Sequence, residues 1–261
     1  MHKALWVGKT GLEAQDIALS TISNNMANAS TTGFKKERAV FEDLIYQVQR
    51  QPGAQSSQNT QLPSGLQLGT GVRTVGTQKM FTQGDLNMTE QPLDMAINGR
   101  GFFQILMPDG NIAYTRDGTF HINAEGQVVT ASGYQVEPDI QVPEQTKTIT
   151  VGTDGIVTAV AEGDNEPFEI GQIEVVDFVN PAGLQSIGNN LYLETAASGQ
   201  AQVGVPSLDG FGAVIQGALE TSNVTIVEEM VDMISTQRAY EMNSKVVSTA
   251  DQMLGFITSN L

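Results

Sequence analysis

The chain has 261 residues, of which 40% are apolar and none is cysteine, and this composition predicts a globular protein without disulfide or thiolate chemistry. Its formal net charge of −16 is uneven, because residues 1–100 carry nine basic and eight acidic side chains whereas residues 101–261 carry four basic and twenty-one acidic ones. This balance argues against nucleic acid as a partner, and no apolar run reaches the roughly eighteen residues that a bilayer span requires.

An amphipathic helix is predicted at the N-terminus, from Lys3 to Asn28. Its apolar residues recur mainly at intervals of seven, which is typical of a helix that packs against other helices. The stripe consists of Leu5, Leu12, Leu19, Ile22 and Met26. We expect it to be a subunit interface, since a compact β-domain is too small to cover a helix of about 39 Å.

A polar break follows this helix. Asn, Ser and Thr side chains compete for backbone groups and Gly33 favours a positive φ, so we expect the chain to turn outward here. The turn motif comprises Asn24, Asn25, Asn28, Thr32, Gly33 and Phe34. The cations that come next, Lys35, Lys36 and Arg38, are expected to be available to acidic neighbours.

Residues 34–72 are predicted to form an extended connector, because residues 46–68 show neither periodicity nor much charge. Long aperiodic segments in compact proteins are usually functional or disordered. We expect residues 46–63 to lie along neighbouring subunits and stiffen their assembly; a slack linker is the alternative. The residues that define this stretch are Tyr46, Gln51, Pro52, Gly53, Gln55 and Pro63.

An antiparallel all-β domain is predicted over residues 73–222. Glycines end short β-type runs at almost regular spacing, at Gly110, Gly118, Gly126 and Gly133. Asn98-Gly99 predicts a type I′ hairpin between the runs on either side of it, because both central residues of that turn need a positive φ.

A second long helix is predicted from about Thr225 to the end of the chain. Its apolar stripe, also expected to be a subunit interface, contains Val227, Val231, Ile234, Met242, Val246 and Met253. Residues 1–33 and 223–261 are thus predicted to form one discontinuous coiled-coil domain of an α+β fold. Successive spacings of four residues interrupt the heptads, which argues against an ordinary trimeric coiled coil.

No catalytic, cofactor-binding or metal-ligating residues are predicted. Gly8-Lys9-Thr10 lacks the upstream glycine and the strand of a phosphate-binding loop. His121 is expected to face solvent on a strand.

Three stretches, in order, resemble the bacterial flagellar rod and hook axial proteins. They are "ISNNMANASTTGFKKERAVFEDL" from Ile22, "INGRGFFQI" with "AYTRDGTFHINAEGQVVTASGYQVEP" in the middle, and "LETSNVTIVEEMVDMISTQRAYEMNSKVVSTADQML" ending at Leu254. The chain length and the stretch "YQVQRQPGAQSSQNTQLPSGLQLGTGVR" are similar to members that build the distal rod, since hook members are longer and lack it.

The resemblance implies a structural protein that polymerises helically into the distal rod, a rigid hollow drive shaft for motility that transmits torque to the hook and encloses the export channel. It implies as partners further copies of the chain, proximal rod proteins, hook protein, the P-ring and L-ring bushing proteins and the flagellar type III export apparatus. It also implies a basal-body rod spanning the periplasm, export without a cleaved signal peptide, and no cofactor or small-molecule substrate. A secreted carbohydrate-binding or hydrolytic β-domain on a coiled-coil stalk is the alternative, and would need an exposed aromatic platform.

Overall fold

The computed structural model describes residues 3–52, 55–57, 60–61, 64–143, 145–162 and 166–259. They form the predicted combination of two long helices and a central antiparallel β region. The chain divides into two compact units. Unit 1 contains residues 1–27, 37–78 and 225–261, and unit 2 contains residues 28–36 and 79–224.

Unit 1 contains both helices, α1 (Lys3–Ala27) and α2 (Ile226–Ser259). Both predicted helices are confirmed. The two ends of α1 and the start of α2 lie within one residue of the predicted positions. The strands of this unit are β1 (Glu37–Asp43), β2 (Gln47–Arg50), β3 (Gln55–Ser57), β4 (Thr60–Gln61), β5 (Leu66–Leu68) and β6 (Val72–Lys79). They pair as β1 with β6, β2 with β5 and β3 with β4. Within the described part of the chain, neither helix is both long and apolar enough to cross a membrane.

Unit 2 is built from short strands. They are β7 (Leu86–Met88), β8 (Met95–Asn98), β9 (Phe103–Leu106), β10 (Ile112–Thr115), β11 (Phe120–Ile122), β12 (Val128–Thr130), β13 (Gln135–Glu137), β14 (Thr146–Val151), β15 (Ile156–Ala161), β16 (Phe168–Gln172), β17 (Val175–Asp177), β18 (Gln185–Gly188), β19 (Leu191–Leu193), β20 (Gln202–Gly204), β21 (Ala213–Gln216) and β22 (Ala218–Glu220). The largest sheet has the order β11-β12-β13-β9-β10-β19-β18, and β14, β15 and β16 form a second one. The remaining pairs are β17 with β20, β21 with β8 and β22 with β7, and a 3-10 turn covers Pro181–Gly183.

The larger core cluster of unit 2 combines residues of the large sheet with residues of β8, β14, β15, β17 and β21. Phe103 and Phe120 meet edge to face with ring centroids 5.2 Å apart, beside the fully buried Ile105. A second cluster surrounds Phe102 and Tyr192. Aromatic edge-to-face contacts of this kind add to the free energy gained from area burial alone.

Three of the four predicted glycine turns are hairpins. Gly110, Gly126 and Gly133 have φ values of +82°, +83° and +83° and separate antiparallel neighbours in the large sheet. Gly118 has a different role, because a Cβ atom there would lie 1.5 Å from the carbonyl oxygen of Met95. That glycine permits close approach of two backbones.

The predicted Asn98-Gly99 hairpin is wrong. Gly99 does adopt a positive φ of +119°, but β8, which ends at Asn98, pairs with the distant β21 and not with β9. The partners of β9 are β10 and β13. A local turn preference is here overridden by long-range pairing, because residues 95–97 are buried by that pairing and its neighbours.

The compact units do not follow the predicted three-part division, since residues 37–78 group with the helices. The described part of residues 46–68 is also paired: Gln47 lies opposite Leu68 in an antiparallel ladder. The aperiodic sequence did not predict these pairs. The division into an inner domain, an extended connector and an outer domain stays a prediction.

Candidate assembly surface

The two helices of unit 1 run antiparallel and approach each other closely. A Cβ atom on Gly8 would lie 2.6 Å from Val247 Cγ2, and one on Gly11 would lie 3.1 Å from Asn243 Nδ2. The start of α1 therefore meets the later part of α2. A side chain at Gly8 would have to displace Val247 or separate the helices, whereas one at Gly11 would require Asn243 to shift only slightly.

The second helix has two distinct faces. Positions that are at least partly covered recur every three or four residues and include the two residues that face the α1 glycines. They are Glu229, Met233, Thr236, Ala239, Asn243, Val247, Ala250 and Leu254. Most of these side chains are small or polar, so the more apolar stripe lies on another face.

All six predicted interface residues of α2 are exposed in the single chain. Their exposed fractions lie between 49% for Ile234 and 71% for Val227. The α2 stripe consists of Val227, Val231, Ile234, Met242, Val246 and Met253. An exposed apolar stripe along most of a helix marks a surface for another protein or another copy.

The predicted interface residues of α1 differ in exposure from those of α2. Leu5, Leu12, Leu19, Ile22 and Met26 are partly buried within the single chain. The exposed side chains of α1 include the charged Lys9 and Glu13 and the apolar Trp6 and Val7.

The predicted turn motif is divided between the two units. Asn24 is exposed, Asn25 is buried in unit 1, and Asn28, Thr32, Gly33 and Phe34 belong to unit 2, where the last two are buried. Gly33 adopts the predicted positive φ, at +67°. A Cβ atom there would lie 2.8 Å from the carbonyl carbon of Arg116, so both conformation and space require glycine.

Asn25 joins three segments of unit 1. Its Nδ2 atom donates to Glu37 O at 2.7 Å and to Glu229 Oε2 at 3.1 Å. Its Oδ1 atom accepts from Glu37 N at 2.9 Å. Because the side chain is 1% exposed, these bonds offset the cost of burying its amide.

Unit 2 contains a buried charge cluster around Glu220. Lys35 Nζ donates to Glu220 Oε1 at 2.5 Å and to Thr82 O at 2.9 Å. Gly84 N donates to the same carboxylate oxygen at 2.9 Å, and Arg116 Nη1 donates to Oε2 at 3.3 Å. The expectation that Lys35 is available to acidic neighbours is therefore wrong, because its side chain is fully buried against a carboxylate of the same chain.

Burial disfavours the charged form of both cations in this cluster. It lowers the pKa of Lys35, and the nearby Glu220 carboxylate opposes that shift. Burial likewise lowers the pKa of Arg116, with Glu220 again acting in the opposite direction. Taking an ammonium group out of water disfavours its charged form, which is the physical cause of the first shift.

The predicted stiffening stretch lies partly outside the described residues. Gly53 and Pro63 are among those not described, and Gln55 is described only through the backbone of β3. Tyr46 is half-exposed, and a hydrogen bond with the Asp43 carboxylate raises its pKa. Gln51 and Pro52 are also exposed, after the end of β2.

The sequence alone does not identify the roles of Arg116, Glu220 and Glu229. Each is a polar residue whose role depends on a partner far away in the chain, and no local spacing identifies such a residue. The described residues contain no group of three or more His, Asp or Glu side chains that could hold a metal ion.

Three family models match the chain. The model described as flagella basal body rod protein matches residues 5–35, and the flagellar hook protein FlgE/F/G D1 domain matches residues 96–159. The flagellar basal body rod FlgEFG protein C-terminal model matches residues 215–261. The matched residues include α1 with the turn motif, much of the β region, and α2.

Similar proteins extend over almost the whole chain. The flagellar basal-body rod protein FlgG of Buchnera aphidicola subsp. Schizaphis graminum is 56% identical over 254 residues, which cover 97% of this chain and 98% of that protein. The protein of the same name from Borreliella burgdorferi is 50% identical over 263 residues, covering 100% and 99%. That from Bacillus subtilis is 36% identical over 260 residues, covering 97% of each.

Proposed function

This chain belongs to the flagellar basal-body rod protein family, and we propose that many copies of it polymerise helically into the distal rod, a rigid hollow shaft that transmits torque to the hook and encloses the export channel. Its role is structural and not catalytic. The observation that carries the proposal is the exposed α2 stripe.

Leaving this apolar stripe in water costs free energy. Fully burying one Val, Ile or Met side chain contributes about 1.5–3 kcal/mol relative to exposure. Six side chains that are about half-exposed or more therefore offer roughly 5–10 kcal/mol per subunit before the cost of ordering is subtracted. This gain favours association between copies, and further contacts in the polymer must add to it because association itself costs about 4–15 kcal/mol.

The geometry favours an open polymer over a closed dimer. The α2 stripe is exposed, whereas the five apolar residues of α1 are partly buried within the single chain, so the two surfaces are unlike. Contacts between unlike surfaces generate a ring or a helix, and a helix follows when the rotation does not close. We propose that the α2 stripe and the five apolar residues of α1 form the inner interface as a coiled coil.

The partners proposed beyond further copies follow from membership of the family. They are the proximal rod proteins, the hook protein, the P-ring and L-ring bushing proteins and the flagellar type III export apparatus. We place the protein in the basal-body rod where it spans the periplasm. Within the subunit, we propose an inner helical domain (residues 1–33 and 223–261), a connector (residues 34–72) and an outer β domain (residues 73–222).

Residues 46–63 are proposed to brace neighbouring subunits and stiffen the rod. Support comes from β2 and β5, which present exposed side chains next to α1 in unit 1. Gln47 of β2 and Leu68 of β5 line a cavity of about 380 Å³, together with residues 69–70 and with Lys3, Trp6 and Val7 of α1.

The test compares two substitutions on α2. Val246 is 52% exposed and lies in the stripe, whereas the exposed Ser248 lies on another side of the helix. Val246→Asp should abolish or strongly impair polymerisation while leaving the single chain folded, because the carboxylate would be buried without a partner at every interface. Ser248→Asp adds the same charge and should assemble normally. Tubes are counted by electron microscopy after concentration, and circular dichroism checks the fold.

Normal tubes from Val246→Asp would contradict the proposed interface. Absence of any polymer from the wild-type chain under conditions that concentrate it would contradict the function itself.

A further inference from the structure

An apolar groove lies on the α2 stripe of unit 1. Ala4 of α1 lines it, together with Met242, Val246, Ala250 and Met253 of α2. Its volume is about 570 Å³, which falls within the range of about 300–1,000 Å³ typical of sites that bury a small organic group. This α2 groove is therefore an open, largely apolar site within the proposed subunit interface.

A second apolar surface of unit 1 surrounds Trp6, the single tryptophan of the sequence. Trp6 and Val7 of α1 and Leu68 of β5 line the cavity of about 380 Å³, and their exposed fractions are 48%, 40% and 37%. These three residues are the Trp6 patch. Tryptophan is enriched among the few residues that contribute most of the binding energy at protein interfaces, so an exposed tryptophan beside other apolar side chains marks a contact surface.

Trp6 points away from the α2 groove of its own chain. Gly8 marks the side of α1 that meets α2, because a Cβ atom there would lie 2.6 Å from Val247 Cγ2. Successive residues of an α-helix are rotated by about 100°, so Ala4 lies only about 40° from Gly8, whereas Trp6 lies about 160° from it. The patch and the groove thus face different directions, and each needs a partner from outside the chain.

The charges around the two surfaces are complementary. The first ten residues of α1 include Lys3 and Lys9 and no acidic side chain. The second helix carries five acidic and two basic side chains. One of the basic ones, Lys245, lines the groove, and the exposed Glu241 and Asp251 lie within two turns of it. Opposite net charges around an apolar contact bring two surfaces together and help to fix their register.

We propose that Trp6 of one copy inserts into the α2 groove of the next copy, so that the Trp6 patch and the α2 groove are the two unlike halves of one contact. Each added copy then offers a new patch and a new groove, and such a head-to-tail contact continues as a helix when its rotation does not close a ring. The inference deepens the proposed function and rests on it for the identity of the partner, a second copy of this chain.

The first experiment uses the fluorescence of the single tryptophan. In wild-type tubes, Trp6 emission should move to shorter wavelength, and acrylamide should quench it less than in the unassembled chain, because the indole leaves water. Trp6→Asp should raise the concentration required for assembly about thirtyfold or more, the effect of losing a residue that dominates an interface. Trp6→Phe keeps an aromatic ring and should assemble at a concentration close to that of the wild type.

A matched control separates this contact from a general effect of charge on α1. Ser20 is exposed on the same helix, about 21 Å farther along its axis. Ser20→Asp adds the same charge as Trp6→Asp and should assemble normally. Circular dichroism checks that each variant folds, and Trp6→Ser replaces Trp6→Asp if the latter does not.

A mixing experiment tests the contact without polymerisation. Val246→Asp keeps the tryptophan but has a damaged groove, whereas Trp6→Asp keeps the groove and has no tryptophan. In an equimolar mixture, the emission of the first variant should move to shorter wavelength as pairs form, and these pairs cannot grow because their remaining patch and groove are both damaged. A mixture of Val246→Asp with the double variant Trp6→Asp/Val246→Asp, which has no intact groove, should show no shift.

The outcomes distinguish this inference from the proposed function. Unshifted emission in wild-type tubes, normal assembly of Trp6→Asp, or an unshifted first mixture would overturn the inference, since another surface would then cover the groove. The proposed function would survive those results. If the wild-type chain forms no tubes, the proposed function fails, and the first mixture still decides whether Trp6 enters the groove of another copy.

Discussion

Glu220→Gln should destabilise unit 2 much more than Lys35→Met, although both changes affect the same ion pair. The wild-type cluster holds two cations around one carboxylate. Lys35→Met leaves Arg116 and Glu220 as a neutral pair. Glu220→Gln leaves two buried cations whose shared carboxylate has gone, and an uncompensated buried charge is the costlier defect.

The loss of folding free energy in Glu220→Gln follows from the hydrogen bonds that this carboxylate accepts. One carboxylate oxygen accepts from Lys35 Nζ and Gly84 N, and the other accepts from Arg116 Nη1. A glutamine offers one oxygen, so its NH₂ group must face one of these donors. Breaking a buried ion pair in this way costs about 3–5 kcal/mol. Lys35→Met loses hydrogen bonds but also removes a desolvated ammonium, for a cost of about 1–3 kcal/mol.

The expected difference of about 2 kcal/mol corresponds to roughly a thirtyfold change in the unfolding equilibrium. Urea unfolding followed by near-ultraviolet circular dichroism measures it, because Tyr114 and Tyr192 are buried in unit 2. Glu169→Gln, an exposed substitution of the same kind on β16, is the control and should cost little. Equal costs, or a larger cost for Lys35→Met, would refute the argument from charge balance.

Two further predictions concern pH and rod stiffness. The pKa of Lys35 is lower in the folded chain than its ordinary value of 10.5, so between these two values the unfolded chain binds more protons. The stability difference, which is the free energy of unfolding of the wild type minus that of Lys35→Met, should therefore rise with pH over this interval. Below the interval the difference should not depend on pH. A difference that falls with rising pH would contradict the assigned cause. Deletion of residues 46–63 should still permit assembly but give curved or flexible tubes. Their persistence length, measured by electron microscopy, should be shorter than that of wild-type tubes. Equal persistence lengths would show that this stretch is only a linker.

The parts of the fold that could be predicted are those fixed by local periodicity. Both helices follow from apolar residues spaced by three and four, and they begin and end close to the predicted boundaries. The hairpins at Gly110, Gly126 and Gly133 follow from short strands and residues that tolerate a positive φ. In each case the residues that decide the structure are neighbours in the chain.

The errors arise where distant residues decide the structure. Lys35 follows a polar turn, and its sequence neighbours suggest an exposed cation. Its burial depends on Glu220, 185 residues away, which in turn contacts Arg116, 104 residues away. The hairpin predicted at Asn98-Gly99 failed for the same reason, since Ile97 lies opposite Val214 of β21. Charge burial and strand pairing over such distances leave no periodic signal.

The second helix shows why a strong sequence pattern need not identify the nearest contact. The most regular apolar residues of α2 are exposed, while a face containing Glu229 and Asn243 meets α1. Close approach at Gly8 and Gly11 suits small and polar partners, since it leaves little room for large side chains between the helix axes. The apolar stripe is then free for a contact that a single chain cannot make. We therefore expect the pattern on α2 to report burial in the assembled rod, and Val246→Asp tests that expectation where the single chain alone would tolerate the change.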